Sequence, residues 1–219
     1  MKKLSTDFGH FWNNPEIIKI FGEDSASSEV LDFLNNHNKA GGRILDIGCG
    51  GGRNTVKMAE LGYETFAVDL YKGMVEFTKN NLVKNNLKAT IRQAKMTSLP
   101  FPDNYFDYLV SNGVFHQATT LSEYIKAVNE AARVIRKNGY LYSNIFILND
   151  NIVDNYEIID PNDYSFITED KMVTSFLPKK LFFNLMKSSG FVLQETIEEK
   201  NIKVTTGNRT VLKAIFKKN

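Results

Sequence analysis

The segment Ile44-Leu45-Asp46-Ile47-Gly48-Cys49-Gly50-Gly51-Gly52-Arg53 restricts this chain more than any other. Ile44, Leu45 and Ile47 around one aspartate read as a strand covered on both faces, and the glycines at 48 and 50–52 stop it abruptly. Glycine takes positive φ freely and carries no Cβ, so such a loop lets a ligand approach the main chain. A buried strand, a glycine loop and a helix opening at Arg53-Asn54 make one βα unit of an open α/β sheet.

A second unit follows. Tyr63 to Leu70 reads as a strand that ends in the acid Asp69, about 20 residues beyond the glycines, where a carboxylate can accept from both hydroxyls of a ribose. Thr90 to Ala94 reads as a third strand, and Phe106-Asp107 opens a fourth that leads through Asn112 to Phe115-His116-Gln117. Ligands of open α/β sheets lie at the carboxyl ends of the strands. Asn112, Phe115 and His116 stand at that end of the fourth strand, and His116 is the candidate general base. Thr120 and Glu123 have capping-box spacing, and Leu121, Tyr124, Ile125, Val128, Ala131, Ala132 and Ile135 recur helically up to a left-handed stop at Asn138-Gly139. Tyr140 to Ile147 reads as a fifth strand and Lys179 to Ser189 as a helix. Phe191 to about Lys203 reads as a strand that Gly207-Asn208 turns back into Thr210 to Phe216.

A glycine loop followed by Asp69 suits two kinds of adenosine cofactor. The dinucleotide fingerprint G-x-G-x-x-G would place a glycine at position 53, which Arg53 occupies. The other pattern is an acid two residues before G-x-G-x-G, here Asp46, Gly48, Gly50 and Gly52. With that motif, with Asp69, and with Lys95-Met96-Thr97-Ser98-Leu99-Pro100-Phe101 ahead of Phe106-Asp107, residues 40–217 resemble the class I S-adenosylmethionine-dependent methyltransferases of small-molecule type. The resemblance implies an α/β fold: a single doubly wound, mostly parallel seven-stranded sheet with an antiparallel C-terminal hairpin. It also implies S-adenosylmethionine as cofactor, S-adenosylhomocysteine as product, and direct displacement at the sulfonium methyl. Carried over residue by residue, Asp46, Gly48, Gly50, Gly52, Asp69, Leu70, Lys95, Met96, Asn112 and Trp12 fall at cofactor-binding positions.

The chain departs from the family at Lys95. An acid that meets the adenine amino group in the family is replaced here by an ammonium, which has no lone pair to offer. The Met96 backbone N–H remains, since a main-chain donor does not depend on residue type. No Asn-Pro-Pro-Tyr or Asp-Pro-Pro-Tyr tetrad follows the fourth strand. Amino-methylating enzymes of nucleobases and glutamine carry one, so the resemblance implies a different acceptor class. A catalytically silent adenosylmethionine-binding protein and a nicotinamide-dependent oxidoreductase stay open as alternatives.

Composition narrows the partners. A formal net charge of +2 over 219 residues, with dispersed lysines and no basic stripe, points away from nucleic acid, and no apolar run reaches membrane-spanning length. Met1 to Asp7 has charges without an apolar stretch behind them, so no secretory signal is read there and the cytoplasm is the expected compartment. Histidines at 10, 37 and 116 and the single Cys49 make no metal-ligand spacing, and Cys49 reads as a small filler between strand and loop. The expected organisation is one domain over residues 1–219. It comprises a helical lid at 1–38, a cofactor-binding core at 40–147, a substrate-side insert at 148–174, and a closing helix and hairpin at 175–219. Phe8, Phe11 and Trp12 belong to the lid, and Tyr156, Tyr164 and Phe166 are placed to wall a substrate pocket. A small-molecule methyl acceptor is the expected partner, and nothing in the sequence sets an oligomeric state.

Overall fold

The computed structural model describes residues 9–37, 41–168, 172–204 and 207–219; Phe8 lies outside them. Three helices come first: α1 (Gly9–Trp12), α2 (Pro15–Glu23) and α3 (Ser28–Asn36). The central units are β1 (Arg43–Ile47), α4 (Arg53–Glu60), β2 (Glu64–Asp69), α5 (Lys72–Lys84), β3 (Thr90–Gln93), β4 (Phe106–Asn112), α6 (Leu121–Val134) and β5 (Ile135–Ile147). The insert holds α7 (Asp150–Asn155), β6 (Glu157–Asp160), β7 (Ser165–Ile167) and β8 (Val173–Ser175), and the chain closes with α8 (Lys179–Ser188), β9 (Phe191–Val204) and β10 (Gly207–Lys218).

Seven strands form one sheet in the order β3-β2-β1-β4-β5-β10-β9. β1 to β5 are mutually parallel, joined by crossover helices except between β3 and β4, where a loop makes the connection, whereas β10 runs antiparallel to both β5 and β9. The expected α/β sheet with a closing antiparallel hairpin is therefore what the chain forms. Strand order reverses between β1 and β4, so the connections leaving their carboxyl ends diverge and open a crevice there.

Both faces of the central strands are covered, so β1 is buried from Ile44 to Ile47 and β4 from Phe106 to Ser111. Leu45, Ile47 and Leu109 pack with Tyr124 and Val128 of α6 and Phe182 and Met186 of α8. Ile44, Tyr108 and Val110 lie on the opposite face under Val30, Phe33 and Leu34 of α3. Each of those three α3 side chains is at most 1% exposed, and burial of one contributes about 1.5 to 3 kcal/mol. That anchors the N-terminal segment over the sheet.

Four local expectations are corrected. α6 ends at Val134, short of Asn138-Gly139, because Ile135 is taken by the sheet as the partner of Phe106. Residues 136–139 then bulge out, with Asn138 at φ 63°, before Tyr140 joins Tyr108. The reciprocal arm of the capping box shifts by one residue: Thr120 Oγ1 accepts from the Glu123 N–H at 3.1 Å, but the Glu123 carboxylate accepts from Thr119 N at 2.8 Å. Gly207-Asn208 is not the hairpin turn, since Gly207 already pairs with Val204 and Asn208 with Lys203. The insert is no open loop, as β6, β7 and β8 form a small antiparallel sheet.

That sheet changes the role expected of its aromatics. Tyr156 and Phe166 are buried with Ile152 and Phe176 in a separate small core, against which Tyr164 packs, rather than walling a pocket. The buried guanidinium of Arg209, from β10, sits 4.6 Å from the Tyr156 ring centre and 5.3 Å from that of Phe176, and it donates to the Tyr156 hydroxyl. The insert is thus fastened to the main sheet by a cation held among aromatic faces.

Candidate active site

The glycine loop leaves β1 at the crevice. Gly48, Gly50 and Gly52 all have positive φ, and a Cβ added at Gly50 would meet nothing within 4 Å, so main chain faces open space there. Gly51 fills a different need. A Cβ on it would lie 2.2 Å from the Gly22 Cα, because α2 crosses directly over the loop. Asn81 of α5 fixes the crossing by donating through Nδ2 to the carbonyl of Gly51 at 3.0 Å. Arg53 pairs with Asp24, and Asn54 Oδ1 accepts from the Ser27 N–H at 3.1 Å, so the start of α4 also holds the α2–α3 connection.

Asp69 ends β2 beside this loop. Its Oδ2 accepts from the Gly50 N–H and its Oδ1 from the Tyr71 N–H, both at 2.9 Å. Each oxygen keeps another lone pair, so two ribose hydroxyls can still be met. Burial raises the Asp69 carboxyl above its ordinary value, against the lowering effect of the backbone donors. Leu70, 46% exposed, presents an apolar surface next to that carboxylate, suited to the face of a purine. An open main-chain cradle, a carboxylate with spare acceptors and an exposed aliphatic side chain fit an adenosine cofactor.

Other predicted residues take supporting places. Asp46 is 1% exposed and accepts from the Thr55 hydroxyl at 2.6 Å, tying β1 to α4, and burial pushes its carboxyl up to about 6. Lys95 is exposed, with its carbonyl accepting from Ser98 N at 3.0 Å, and Met96 packs partly buried against the core. The Lys95 charge thus stays in water. Leu99 and Phe101 are buried, and their loop is clamped to α6: Glu130 Oε2 accepts from Leu99 N at 2.8 Å while Arg133 donates to the carbonyls of Leu99 and Phe101. Trp12 stacks edge-on against Phe11 and Phe21, at 4.9 and 5.2 Å, within the N-terminal segment's own aromatic group. Cys49 is buried in the loop, where burial pushes its thiol well up.

His116 does not have the setting of a general base. It is 2% exposed, its ring lies 4.4 Å from that of Phe146, and its Nδ1 accepts from the Phe146 N–H at 3.2 Å. The lone pair a base would use is engaged. Burial, reinforced by the nearby Arg209 charge, lowers its pKa to about 3. His116 instead joins the turn after β4 to β5, and its carbonyl accepts from the Thr174 hydroxyl of the insert.

Asn112, at the carboxyl end of β4, borders a cavity of about 400 Å³. Asn144, Phe146, Glu198, Lys213 and, from the opposite side, Glu29 share it. Lys213 bridges the two glutamates, with its nitrogen 2.7 Å from Glu198 Oε2. That ammonium lowers the Glu29 carboxyl to about 2, while Lys200 first and Lys213 beside it lower the Glu198 carboxyl. None of Glu29, Asn144, Glu198 or Lys213 announces itself in the sequence, because only strand register and the α3 crossing bring them together.

Comparison with known proteins agrees with this geometry. Residues 45–143 match the family described as "Methyltransferase domain". An uncharacterized methyltransferase of Bacillus subtilis, YcgJ, is 35% identical over 123 residues, which is 54% of this chain and 43% of that protein. A probable tRNA methyltransferase 9B of Mus musculus is 32% identical over 123 residues, 54% of this chain and 25% of that protein. The chain thus spans less than half the length of these curated relatives. The solved structure of a SAM-dependent methyltransferase from Methanosarcina mazei superposes with a TM-score of 0.76 at 21% identity, covering 89% of this chain and 99% of that one. The shared architecture includes the closing hairpin. Among the described residues, no helix is long and apolar enough to cross a membrane.

Proposed function

As residues 45–143 of this chain belong to the methyltransferase-domain family, whose class I members use S-adenosylmethionine, we propose that it methylates a small molecule held in the cavity beside Asn112. When bound, that cofactor supplies a methyl group already activated by its sulfonium charge. The glycine loop and Asp69 hold the adenosine, Leu70 packs on the base, and Asn112 marks where the cofactor's reactive end meets the acceptor. Alignment of this kind contributes roughly 7 to 11 kcal/mol when the geometry is right. Glu29 is kept ionised by Lys213, and Glu198 by Lys200 and Lys213, which makes them poor bases, and His116 is sealed from the cavity. The acceptor atom therefore arrives unprotonated or gives its proton to water.

The observation that carries the small-molecule reading is the cavity itself, since about 400 Å³ lies within the usual range for metabolite sites. The test is transfer of a labelled methyl group from S-adenosylmethionine in a cell extract, with the product split into acid-soluble and acid-precipitable fractions. Label in the soluble fraction is expected. Label confined to precipitated RNA, as the tRNA methyltransferase relative makes worth measuring, would overturn the small-molecule assignment.

A further inference from the structure

Four strands present one row of side chains to the cavity. Asn112 of β4 is in register with Asn144 of β5, Asn144 with Lys213 of β10, and Lys213 with Glu198 of β9. At about 4.8 Å per strand the row extends roughly 14 Å from the end of β4 toward the sheet edge. Phe146, Val211 and Ile202 add apolar wall to the same cavity.

Every charge in this lining already has a partner within the protein. Lys213, its side chain 13% exposed, lies between Glu29 and Glu198, while Lys200 pairs with Glu198 and Arg53 with Asp24. An ion carried in by a substrate meets no unmatched counter-charge, and displacing one partner strands another in a half-buried site. The asparagines are different. Asn144 Nδ2 donates to Asn112 Oδ1 at 2.8 Å, and Asn144 Oδ1 is buried with no hydrogen-bond partner among the described residues. Reversing the sense of that bond by exchanging amide O and N still leaves a donor and an acceptor of the pair unspent. A buried acceptor without a donor is costly until something supplies one.

Resting on the methyltransferase reading, we propose that the acceptor is uncharged and is recognised through an amide-like face, an N–H beside a C=O, that docks on the Asn112–Asn144 pair. The Glu29–Lys213–Glu198–Lys200 group, in which two carboxylates meet two ammoniums, sets selectivity by refusing ions of either sign. Asn112 and Asn144 set orientation, bringing that face to the end of β4 where the methyl group is delivered.

The experiment titrates the S-adenosylhomocysteine-saturated protein at neutral pH with benzamide, benzoate and benzylamine, followed by ligand-observed nuclear magnetic resonance. The probes share one ring and differ in the charge of the attached group. Benzamide is expected to bind about tenfold or more tightly than either ion. Asn144→Leu, similar in size and unable to hydrogen-bond, should weaken benzamide about fivefold or more and leave the ions unaffected. Asn144→Asp should transfer the preference to benzylamine. Thermal transitions check that both variants fold, and the parent protein decides alone if they do not. Equal affinities, preference for either ion, or no binding of benzamide in the parent overturns the proposal. Failure of S-adenosylhomocysteine itself to bind overturns the methyltransferase reading and this proposal with it, so the two failures are distinguishable.

Discussion

Gly51→Ala separates the contact of α2 with the glycine loop from the cofactor's. The new Cβ would lie 2.2 Å from the Cα and 2.5 Å from the nitrogen of Gly22, and 3.0 Å from the carbonyl carbon of Phe21. All three are backbone atoms, so no rotamer change can relieve the clash and α2 must move as a body. Overpacking of this kind costs about 1 to 3 kcal/mol. For a chain of 219 residues that corresponds to a fall of roughly 2 to 12 °C in Tm. The displacement also loosens the Arg53–Asp24 pair and the Asn81 clamp, so amide exchange within Pro15–Glu23 should quicken while exchange in β1 stays slow. Gly50→Ala is the counterpart. Its Cβ meets no protein atom within 4 Å, so the cost to stability is the left-handed φ of 55°, about 1 to 2 kcal/mol, and the methyl projects into the cradle instead. Differential scanning calorimetry, hydrogen exchange and cofactor titration on both variants check the assignment. Exchange in α2 that is unchanged by Gly51→Ala, or cofactor affinity unchanged by Gly50→Ala, would refute this account of the loop.

Three further outcomes follow from the charges. Asp46, with its folded pKa raised to about 6 above an ordinary value near 3.9, binds its proton more readily in the native state, so its ionisation costs stability above pH 6 and not below pH 4. Asp46→Asn, which keeps an acceptor for Thr55, should therefore stabilise at pH 7.5 by on the order of 2 kcal/mol, with the advantage vanishing as pH falls from 6 to 4 in urea titrations. His116 has the opposite linkage: with its folded pKa lowered to about 3, stability present above pH 6.5 is lost as pH falls toward 3. His116→Gln should flatten that part of the stability profile while leaving the pH dependence of kcat unshifted; a shifted kcat profile would restore His116 to the chemistry. Lys95→Asp, at the exposed loop after β3, should tighten cofactor binding by about 0.5 to 1.5 kcal/mol, and by nothing for an analogue lacking the adenine amino group.

Much of the sheet was legible because its signals are local. The Ile44–Ile47 run, the glycines after it and Asp69 each lie within one βα unit, and the structure places the loop and Asp69 together through the bond from Gly50 N to Asp69 Oδ2. What was not legible depends on pairing across the chain. The helical stripe of α6 runs on into Ile135, yet that residue is drawn into the sheet by Phe106, which periodicity cannot register. β6, β7 and β8 are three or four residues long, too short for a period of two to show, and the flanking Tyr156 and Phe176 hold Arg209 from β10. His116 stands in sequence where a catalytic group would, and only the return of β5 beside it reveals that its Nδ1 is occupied. The cavity floor is the extreme case, since Asn112, Asn144, Lys213 and Glu198 meet solely by strand register.

Binding of the adenosine cofactor in the crevice between the glycine loop and Asp69 is measured by calorimetric titration of S-adenosylhomocysteine into the parent protein and Asp69→Ala. One site per chain with micromolar-range affinity is expected in the parent. In Asp69→Ala, still folded by its thermal transition, affinity should fall by roughly 1.5 to 3 kcal/mol, the scale of hydrogen bonds to a charged acceptor. No binding by the parent, or equal affinity in the two proteins, would contradict binding of the cofactor there.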